Sequence, residues 1–252
     1  MPRSLFLAVF LFLVICRPAT AADEPVVFQS GSDQAVLIEL FTSEGCSSCP
    51  PADDWIGGLA HSPYLWNKFV PVAFHVDYWN HLGWTDRLSR PEYSDRERAY
   101  AARWRSSSVY TPMIVTGGEE SRDWYKSPSL EIRGRKDAGI LKIEKTGELS
   151  FEITFSPHNN AFMRHAVMHA AYLGSEILTK VEAGENRGKT LQHDFAVLAF
   201  QEKSLIYEEG LLKAEVLFDR ESFVPAPHHA IAVWVTGPSS AEPLQAAGGI
   251  LD

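Results

Sequence analysis

Two cysteines, Cys46 and Cys49, stand three positions apart and enclose two serines. A disulfide between them closes so short a loop that it removes little entropy from the unfolded chain, so stability is a poor reason for the pair. Two thiols at this spacing suit redox exchange, in which one sulfur attacks a partner disulfide and the other resolves the mixed disulfide. A passive structural disulfide and a pair of thiolate ligands for a soft metal ion are the alternatives.

The residues on either side of the cysteine pair predict a strand followed by a helix. Residues 35–42 form a nearly continuous apolar run, which is typical of a buried strand in a parallel sheet. A helix is predicted over residues 53–60, and the two prolines after Cys49 make this cysteine a suitable N-cap with the first proline as the first helical residue. The N–H groups of a helix N-terminus stabilise a nearby thiolate. We therefore expect Cys46 to be reachable from solvent and Cys49 to be shielded by the first helical turn.

A second strand is predicted over residues 69–77 and ends in His75 and Asp77. Ligands of open α/β sheets bind at the carboxyl ends of parallel strands. His75 is therefore a candidate third ligand, with Cys46 and Cys49, in a copper or zinc site. The alternative is a hydrogen-bonded histidine beside a strand-end turn.

The next segment, residues 78–108, is polar and rich in aromatic side chains. It contains a predicted helix over residues 91–104, with Pro and Glu at its start and Arg at its end. Thr111-Pro112 then opens a short apolar strand that ends in a glycine turn, and residues 119–124 are its predicted hairpin partner. These elements predict an α/β domain over residues 35–134 with a helical insertion at residues 78–108.

The pattern of apolar residues changes after residue 139. Short apolar runs are separated by Gly, Asn, Pro or charged turns, at residues 141–145, 149–155, 166–173, 177–182, 195–200, 211–218 and 230–236. This spacing predicts an antiparallel β-sandwich-like domain over residues 139–252. The glycine-flanked segment 184–189 is interpreted as a turn, because it precedes no helix and so does not match a phosphate-binding loop.

The ends and the charge of the chain limit its partners and its location. The chain has 252 residues and a net charge of −9, which disfavours nucleic acid and anionic membrane surfaces as partners. An apolar run over residues 5–15 follows a basic start and precedes small residues, which predicts a signal peptide over residues 1–21 and export to the periplasm or the extracellular space. A membrane anchor needs about 20 apolar residues, so none is expected. Cys16 leaves with the signal peptide.

The run ELFTSEGCSSCPPAD at residues 39–53 resembles the strand and dithiol of the thioredoxin superfamily, and residues 109–112 resemble its cis-proline loop. With HVDYWN at residues 75–80, the chain is most similar to a bacterial family of secreted thioredoxin-like proteins of unknown function. The resemblance implies a thioredoxin-like fold, with Cys46 as the attacking thiol and Cys49 as the resolving thiol. It also implies a cis Pro112 beside the dithiol, with Tyr110 and Thr111 as substrate-binding residues. It implies no particular substrate.

Leu40 stands where thioredoxin carries a buried acid, and strand alternation points the neighbouring Glu39 to the opposite face. The sequence as a whole predicts a thiol–disulfide oxidoreductase or redox sensor of the cell envelope, acting on protein thiols or disulfides without a cofactor. The alternative is a non-enzymatic module. In that interpretation the cysteines bind copper or zinc, or form a passive disulfide, and the β-domain carries protein recognition.

Overall fold

The computed structural model describes residues 25–126, 134–158, 165–238 and 240–252. Within these residues the chain is β-rich, with fifteen strands and two α-helices. The helices are α1 (Pro50–Gly58) and α2 (Pro91–Arg103). The strands are β1 (Val27–Gln29), β2 (Val36–Thr42), β3 (Phe69–His75), β4 (Met113–Thr116), β5 (Glu119–Glu120), β6 (Ile140–Lys145), β7 (Ser150–Ser156), β8 (Val167–Ser175), β9 (Ile177–Lys180), β10 (Thr190–His193), β11 (Ala196–Ser204), β12 (Ile206–Glu208), β13 (Leu211–Leu217), β14 (His228–Thr236) and β15 (Pro243–Ile250).

The largest sheet has eight strands in the order β15-β14-β8-β11-β3-β2-β4-β5. Its centre is parallel, because β3 pairs in the parallel sense with both β2 and β11, and its other neighbours pair antiparallel. Every residue of β2 and β3 is buried, which explains the nearly continuous apolar sequence of both strands. Thr42 pairs with His75 at the carboxyl ends of these strands, so the segments that follow them leave from the same edge of the sheet.

A second sheet has five antiparallel strands in the order β1-β6-β7-β13-β12. Burial alternates along β7, so one face of this sheet is apolar. That face and the large sheet enclose a common core. The residues of this core include Leu141, Phe151, Phe155, Met168, Ile231 and Val233. The two sheets therefore pack face to face as a sandwich. A third, two-stranded sheet consists of β9 and β10.

The two helices share a second core with β2 and β3. Ile56 of α1 and Tyr93 and Tyr100 of α2 belong to the same buried cluster as Phe41 and Phe74. The Tyr93 ring meets the Phe74 ring edge-on at a centroid distance of 5.2 Å. Aromatic packing thus holds α2 against β2 and β3.

Most of the elements predicted from the sequence are present. The strands predicted at residues 35–42 and 69–77, the helix predicted at residues 91–104 and the seven predicted strands after residue 139 are all confirmed. The first helix begins at Pro50, which agrees with the prediction of Cys49 as its N-cap but not with the predicted range 53–60, because the two prolines already have the backbone geometry of a first helical turn. The structure adds four strands that the sequence analysis does not predict, β1, β10, β12 and β15.

The C-terminal strands do not form a separate sandwich. β8, β11, β14 and β15 extend the sheet that begins with β2 and β3, and the connection is the parallel pairing of Ala196 with Ala73. This pairing covers an edge of β3 that would otherwise leave unpaired backbone groups. The division of the chain at residues 134–139 stays a prediction about folding units.

The predicted signal peptide, residues 1–21, lies outside the described residues. Over the part of the chain that the structure describes, neither helix has the length and apolar character needed to cross a membrane.

Candidate functional site

The cysteine pair lies where β2 ends and α1 begins. Cys46 and Cys49 form a disulfide with their Cα atoms 5.5 Å apart. Cys49 is the N-cap of α1 and Pro50 is its first residue, as predicted. The backbone N–H groups of Ala52 and Asp53 donate hydrogen bonds to the carbonyl oxygen of Cys49, at 2.8 and 3.1 Å. The strand-to-helix connection therefore holds both sulfurs at the start of α1.

Both cysteines are fully buried, whereas Ser47 and Ser48 between them are exposed. The expected shielding of Cys49 is confirmed. The expectation that Cys46 is reachable from solvent is wrong for this disulfide form. Its sequence neighbours are small, but segments that are distant in the sequence contact Cys46 or the residue before it. These segments are the loop before β4, the insertion after β3 and the loop between β9 and β10.

The loop before β4 brings Thr111 to Cys46. The Thr111-Pro112 peptide bond is cis, as predicted. The carbonyl oxygen of Thr111 lies 3.8 Å from Cys46 Sγ and accepts a hydrogen bond from the Ser48 hydroxyl at 3.5 Å. The Thr111 hydroxyl oxygen accepts a hydrogen bond from Trp79 Nε1 at 2.8 Å, so the insertion fixes this loop.

The insertion also contacts the segment directly before Cys46. A Cβ atom at Gly45 would lie 2.9 Å from the Cβ atom of Trp79, so this close approach of the two backbones requires glycine. Trp84 Nε1 donates to Glu44 Oε2 at 2.6 Å, and the backbone N–H of Glu44 donates to Asp86 Oδ2 at 2.9 Å. The insertion is therefore part of the wall of the site.

Tyr110, which the resemblance implies to be a substrate-binding residue, is hydrogen-bonded to two carboxyl groups. Its backbone N–H donates to Glu97 Oε1 at 3.1 Å, and its hydroxyl group is hydrogen-bonded to Glu120. Burial raises the pKa of Glu97 to about 7 and that of Tyr110 to about 12. Tyr110 nevertheless keeps 39% of its surface exposed, so its ring borders the site from the solvent side.

Four buried ionisable side chains form a network around the end of β3. His75 Nδ1 lies 2.7 Å from Asp86 Oδ2, and His193 Nε2 lies 3.2 Å from Glu44 Oε1. The two imidazole rings meet edge-on at a centroid distance of 4.7 Å. The second nitrogen of each ring, His75 Nε2 and His193 Nδ1, is buried and has no hydrogen-bond partner among the described residues.

The charges within this network stabilise one another. Burial alone would lower the pKa of His75, but the carboxylate of Asp86 outweighs burial and raises it. Burial alone would raise the pKa of Asp86, but the His75 imidazole holds it below its usual range. Each partner therefore favours the charged form of the other.

Asp53, one turn into α1, is a buried carboxyl group. Burial raises its pKa to about 7, against the opposing effect of His193. Asp53 also lines a cavity of about 410 Å³ between α1 and β10, which Asp54, Lys189 and Gln192 border as well. A carboxyl group that titrates near neutral pH thus lies within one helical turn of Cys49 in the sequence.

His75 is at the predicted strand end, but its hydrogen bond is to Asp86 and the two sulfurs are bonded to each other. Over residues 25–126, 134–158, 165–238 and 240–252, no three His, Cys, Asp or Glu side chains form a group that could hold a metal ion. In the described disulfide form His75 is a hydrogen-bonded histidine, and its role as a metal ligand stays a prediction.

The sequence analysis misses the residues that come to the dithiol from the C-terminal half. Asn186, in the loop between β9 and β10, donates from Nδ2 to the carbonyl oxygens of Glu44 at 3.0 Å and Cys46 at 2.8 Å. His193 follows in β10. These residues lie 140 or more positions after Cys46, and no spacing rule connects such distant positions.

Glu39 performs a structural task. It is fully buried, and Arg96 of α2 donates from Nε to its Oε1 at 2.6 Å, while the Tyr100 hydroxyl group donates to its other oxygen. Glu39 therefore binds α2 to the sheet, on the face expected from strand alternation.

Two solved structures resemble the chain. The crystal structure of protein AGR_C_4864 from Agrobacterium tumefaciens matches with a TM-score of 0.58 and 22% identity, over 88% of this chain and 95% of that one. HBP35 of Porphyromonas gingivalis matches with a TM-score of 0.62 and 14% identity, over 88% of this chain and 77% of that one. At these identities the similarity concerns the fold alone.

A comparison with curated proteins finds no match. A family model described as "Protein of unknown function (DUF1223)" matches residues 37–236. This match includes the dithiol, the insertion, the cis-proline loop and most of the C-terminal strands. The chain belongs to this family of proteins of unknown function.

Proposed function

We propose that the chain is an exported, thioredoxin-like thiol–disulfide oxidoreductase whose reactive groups are Cys46 and Cys49. The observation that carries the proposal is the disulfide between these residues at the start of α1, with the carbonyl group of Thr111 3.8 Å from Cys46 Sγ. A buried strand, a dithiol, a helix and a facing cis-proline loop together suit thiol exchange. A purely structural disulfide needs none of the other three elements.

The arrangement of the strands around the dithiol also supports the proposal. β2 is flanked by the parallel strand β3 and the antiparallel strand β4, and α2 lies in the connection between β3 and β4. β5 forms the edge of the sheet next to β4, and β11 lies parallel to β3 on its other side. The resemblance of residues 39–53 to that superfamily points to the same arrangement.

The exchange reaction follows from the two sulfurs. In the reduced protein, the Cys46 thiolate attacks a disulfide of a partner protein and one partner sulfur leaves as a thiolate. Cys49, after losing its proton, attacks Cys46 Sγ and releases the second partner sulfur. The partner disulfide gains two electrons, and the Cys46–Cys49 bond forms. Running the same steps in reverse oxidises a partner dithiol.

The helix start modulates this chemistry. Pro50 and Pro51 carry no N–H groups, so α1 offers fewer donors to a thiolate than a helix without prolines. Burial raises the pKa of Asp53 to about 7, so this carboxyl group can exchange a proton near neutral pH.

The roles of the two cysteines can be tested in the cell envelope of the native host. Cys49→Ser leaves Cys46 able to attack but removes the resolving thiol, so we expect mixed disulfides with partner proteins on a non-reducing gel. Cys46→Ser is the matched control and should accumulate none. If Cys46→Ser accumulates the mixed disulfides, the two roles are reversed. If neither variant does, the oxidoreductase proposal fails.

One observation favours a passive disulfide as the second candidate function: both cysteines are fully buried. In that case the bond fixes the connection between β2 and α1, and the protein acts through another surface. A passive bond would not re-form by exchange with protein disulfides after reduction.

A further inference from the structure

The loop between β9 and β10, residues 181–189, crosses the chain to the dithiol. We call it the clamp loop. Its turn is closed by two backbone hydrogen bonds, from Val181 N to Lys189 O at 3.0 Å and from Gly188 N to Val181 O at 2.8 Å. Gly184 and Gly188 both adopt positive φ angles, +75° and +85°, which suit glycine. The clamp loop is therefore a preformed turn.

Asn186 is the buried residue of an otherwise exposed tip. Its side chain is completely buried, whereas Glu185, Arg187 and Lys189 are exposed. Its amide nitrogen donates hydrogen bonds to the carbonyl oxygens of Glu44 and Cys46. The amide oxygen accepts a hydrogen bond from Lys189 Nζ at 2.9 Å, so both ends of the amide are used.

Glu185 makes a further contact with the dithiol segment. Its carboxylate accepts a hydrogen bond from the backbone N–H of Ser47 at 3.0 Å, and the hydrogen bonds from Ser47 lower the pKa of Glu185. The clamp loop thus binds the backbone of Glu44, Cys46 and Ser47 through two neighbouring side chains. All three contacts are with main-chain groups of the segment that carries the attacking thiol.

The clamp loop also limits how a thiol can approach. Thiol exchange requires a nucleophile to reach a sulfur atom of the disulfide, and access is one of the factors that set its rate. Both cysteines are fully buried although the two serines between them are exposed. The clamp loop holds the segment around Cys46 by three main-chain hydrogen bonds, so release of those bonds would let this segment move.

Taking the oxidoreductase proposal as its basis, we infer that the clamp loop is a gate. Asn186 and Glu185 are its positioning residues, and partner thiols reach the Cys46–Cys49 bond only when these two side chains release the dithiol segment. The gate would slow reaction with small thiols in the envelope. It would favour a partner protein that can displace the loop and take over the main-chain hydrogen bonds.

The test measures how fast dithiothreitol reduces the disulfide in the purified protein. Dithiothreitol supplies two electrons and two protons and becomes a cyclic disulfide, and thiol alkylation followed by mass spectrometry counts the free cysteines. Asn186→Asp places a carboxylate oxygen against the two carbonyl oxygens, so two hydrogen bonds become repulsive contacts. We expect the second-order rate constant to rise about tenfold, since each lost bond favours opening.

Two control variants separate the gate from a general loss of structure. Arg187→Ala alters the exposed neighbour of Asn186 and should leave the rate unchanged within a factor of two. Glu185→Gln keeps an oxygen that can accept from Ser47, so it should stay near the wild-type rate, whereas Glu185→Ala should be about threefold faster. If Asn186→Asp does not fold, the difference between the alanine and glutamine variants at position 185 decides the question.

Equal rates for the wild type, Asn186→Asp and Glu185→Ala would overturn the gate. A rise that Arg187→Ala reproduces would overturn it too, because the effect would then not depend on the hydrogen bonds. The proposed function has its own outcome. If the opened variants are reduced faster and still do not exchange with a protein disulfide, the gate stands as a shield for the bond and the oxidoreductase proposal fails.

Discussion

Asp53 shows how strongly burial changes one side chain near the dithiol. It lies on the first turns of α1, beside a cavity and within the influence of His193, and burial raises its pKa from 3.8 to about 7. Glu97, which supports the loop that carries Thr111, is shifted to about 7 by the same cause. At the scale of single residues, the surroundings of the dithiol therefore contain two carboxyl groups that titrate near neutral pH.

The first prediction concerns the cost of ionising Asp53. Because its pKa in the folded state lies above the ordinary value, the stability lost through Asp53 grows as pH rises from about 4 to about 7 and is constant above that range. Asp53→Asn removes this dependence. Relative to wild type, the variant should gain stability over this pH range, by at most about 4 kcal/mol. Urea unfolding at several pH values measures the difference.

Asp54→Asn is the matched control, since Asp54 is the exposed neighbour on the same helix. Its effect should be small beside that of Asp53→Asn, because the charge of Asp54 is the last of the causes that raise the pKa of Asp53. An Asp53→Asn difference that is flat with pH, or that grows toward acid pH, would contradict the burial argument.

At the scale of elements, α2 supports the candidate site through the loop before β4. It carries Glu97, which accepts the N–H of Tyr110, and Arg96, which forms the buried ion pair with Glu39. The Arg96 guanidinium group also lies 5.1 to 5.6 Å from the ring centroids of Phe74, Tyr100, Phe200 and Trp234. One residue therefore joins α2 to four strands of the large sheet, β2, β3, β11 and β14.

The second prediction follows from this anchor. Glu39→Gln leaves Arg96 as a buried cation with a weakened partner, and breaking a buried ion pair in this way costs about 3 to 5 kcal/mol. The surface pair of Arg98 and Asp95 on the same helix is the matched control, and Arg98→Ala should cost less than about 1 kcal/mol. Urea unfolding gives both values, and equal losses would contradict the role assigned to Glu39.

At the scale of the whole molecule, the eight-stranded sheet joins the N-terminal and C-terminal halves of the chain. β11 lies between β3 and β8. Through β11, the strand β3 of the N-terminal half is joined to the strands of the C-terminal half. The third prediction is a single cooperative unfolding transition. Far-ultraviolet circular dichroism and tryptophan fluorescence should follow the same denaturant curve. Two separated transitions would show that the halves unfold independently.

Much of the fold could be predicted because its signals are local. The apolar runs of β2 and β3, the prolines that begin α1 and α2, and the turn residues between the later strands each follow from neighbouring residues. The pairing of β11 with β3 could not be predicted, because it joins Ala196 to Ala73 and alanine pairs carry no specific signal. The same reason explains why the C-terminal strands were expected in a sandwich of their own.

The candidate site divides in the same way. The spacing of Cys46 and Cys49 and the position of Thr111-Pro112 are visible in the sequence, and the structure brings them together. The burial of Cys46 is not visible, because Asn186 reaches it from 140 positions away. A glycine-flanked turn looks the same in sequence whether it faces solvent or holds another segment.

The measurement that tests the central claim most directly is the reaction of the fully reduced protein with a disulfide-bonded peptide, followed by mass spectrometry. We predict that wild-type protein converts the peptide to two thiols while its own Cys46–Cys49 disulfide forms in equal amount. Cys49→Ser should stop at a one-to-one mixed disulfide through Cys46, and Cys46→Ser should not react above background. A wild-type rate equal to that of Cys46→Ser would contradict the account and leave the Cys46–Cys49 bond with a structural role.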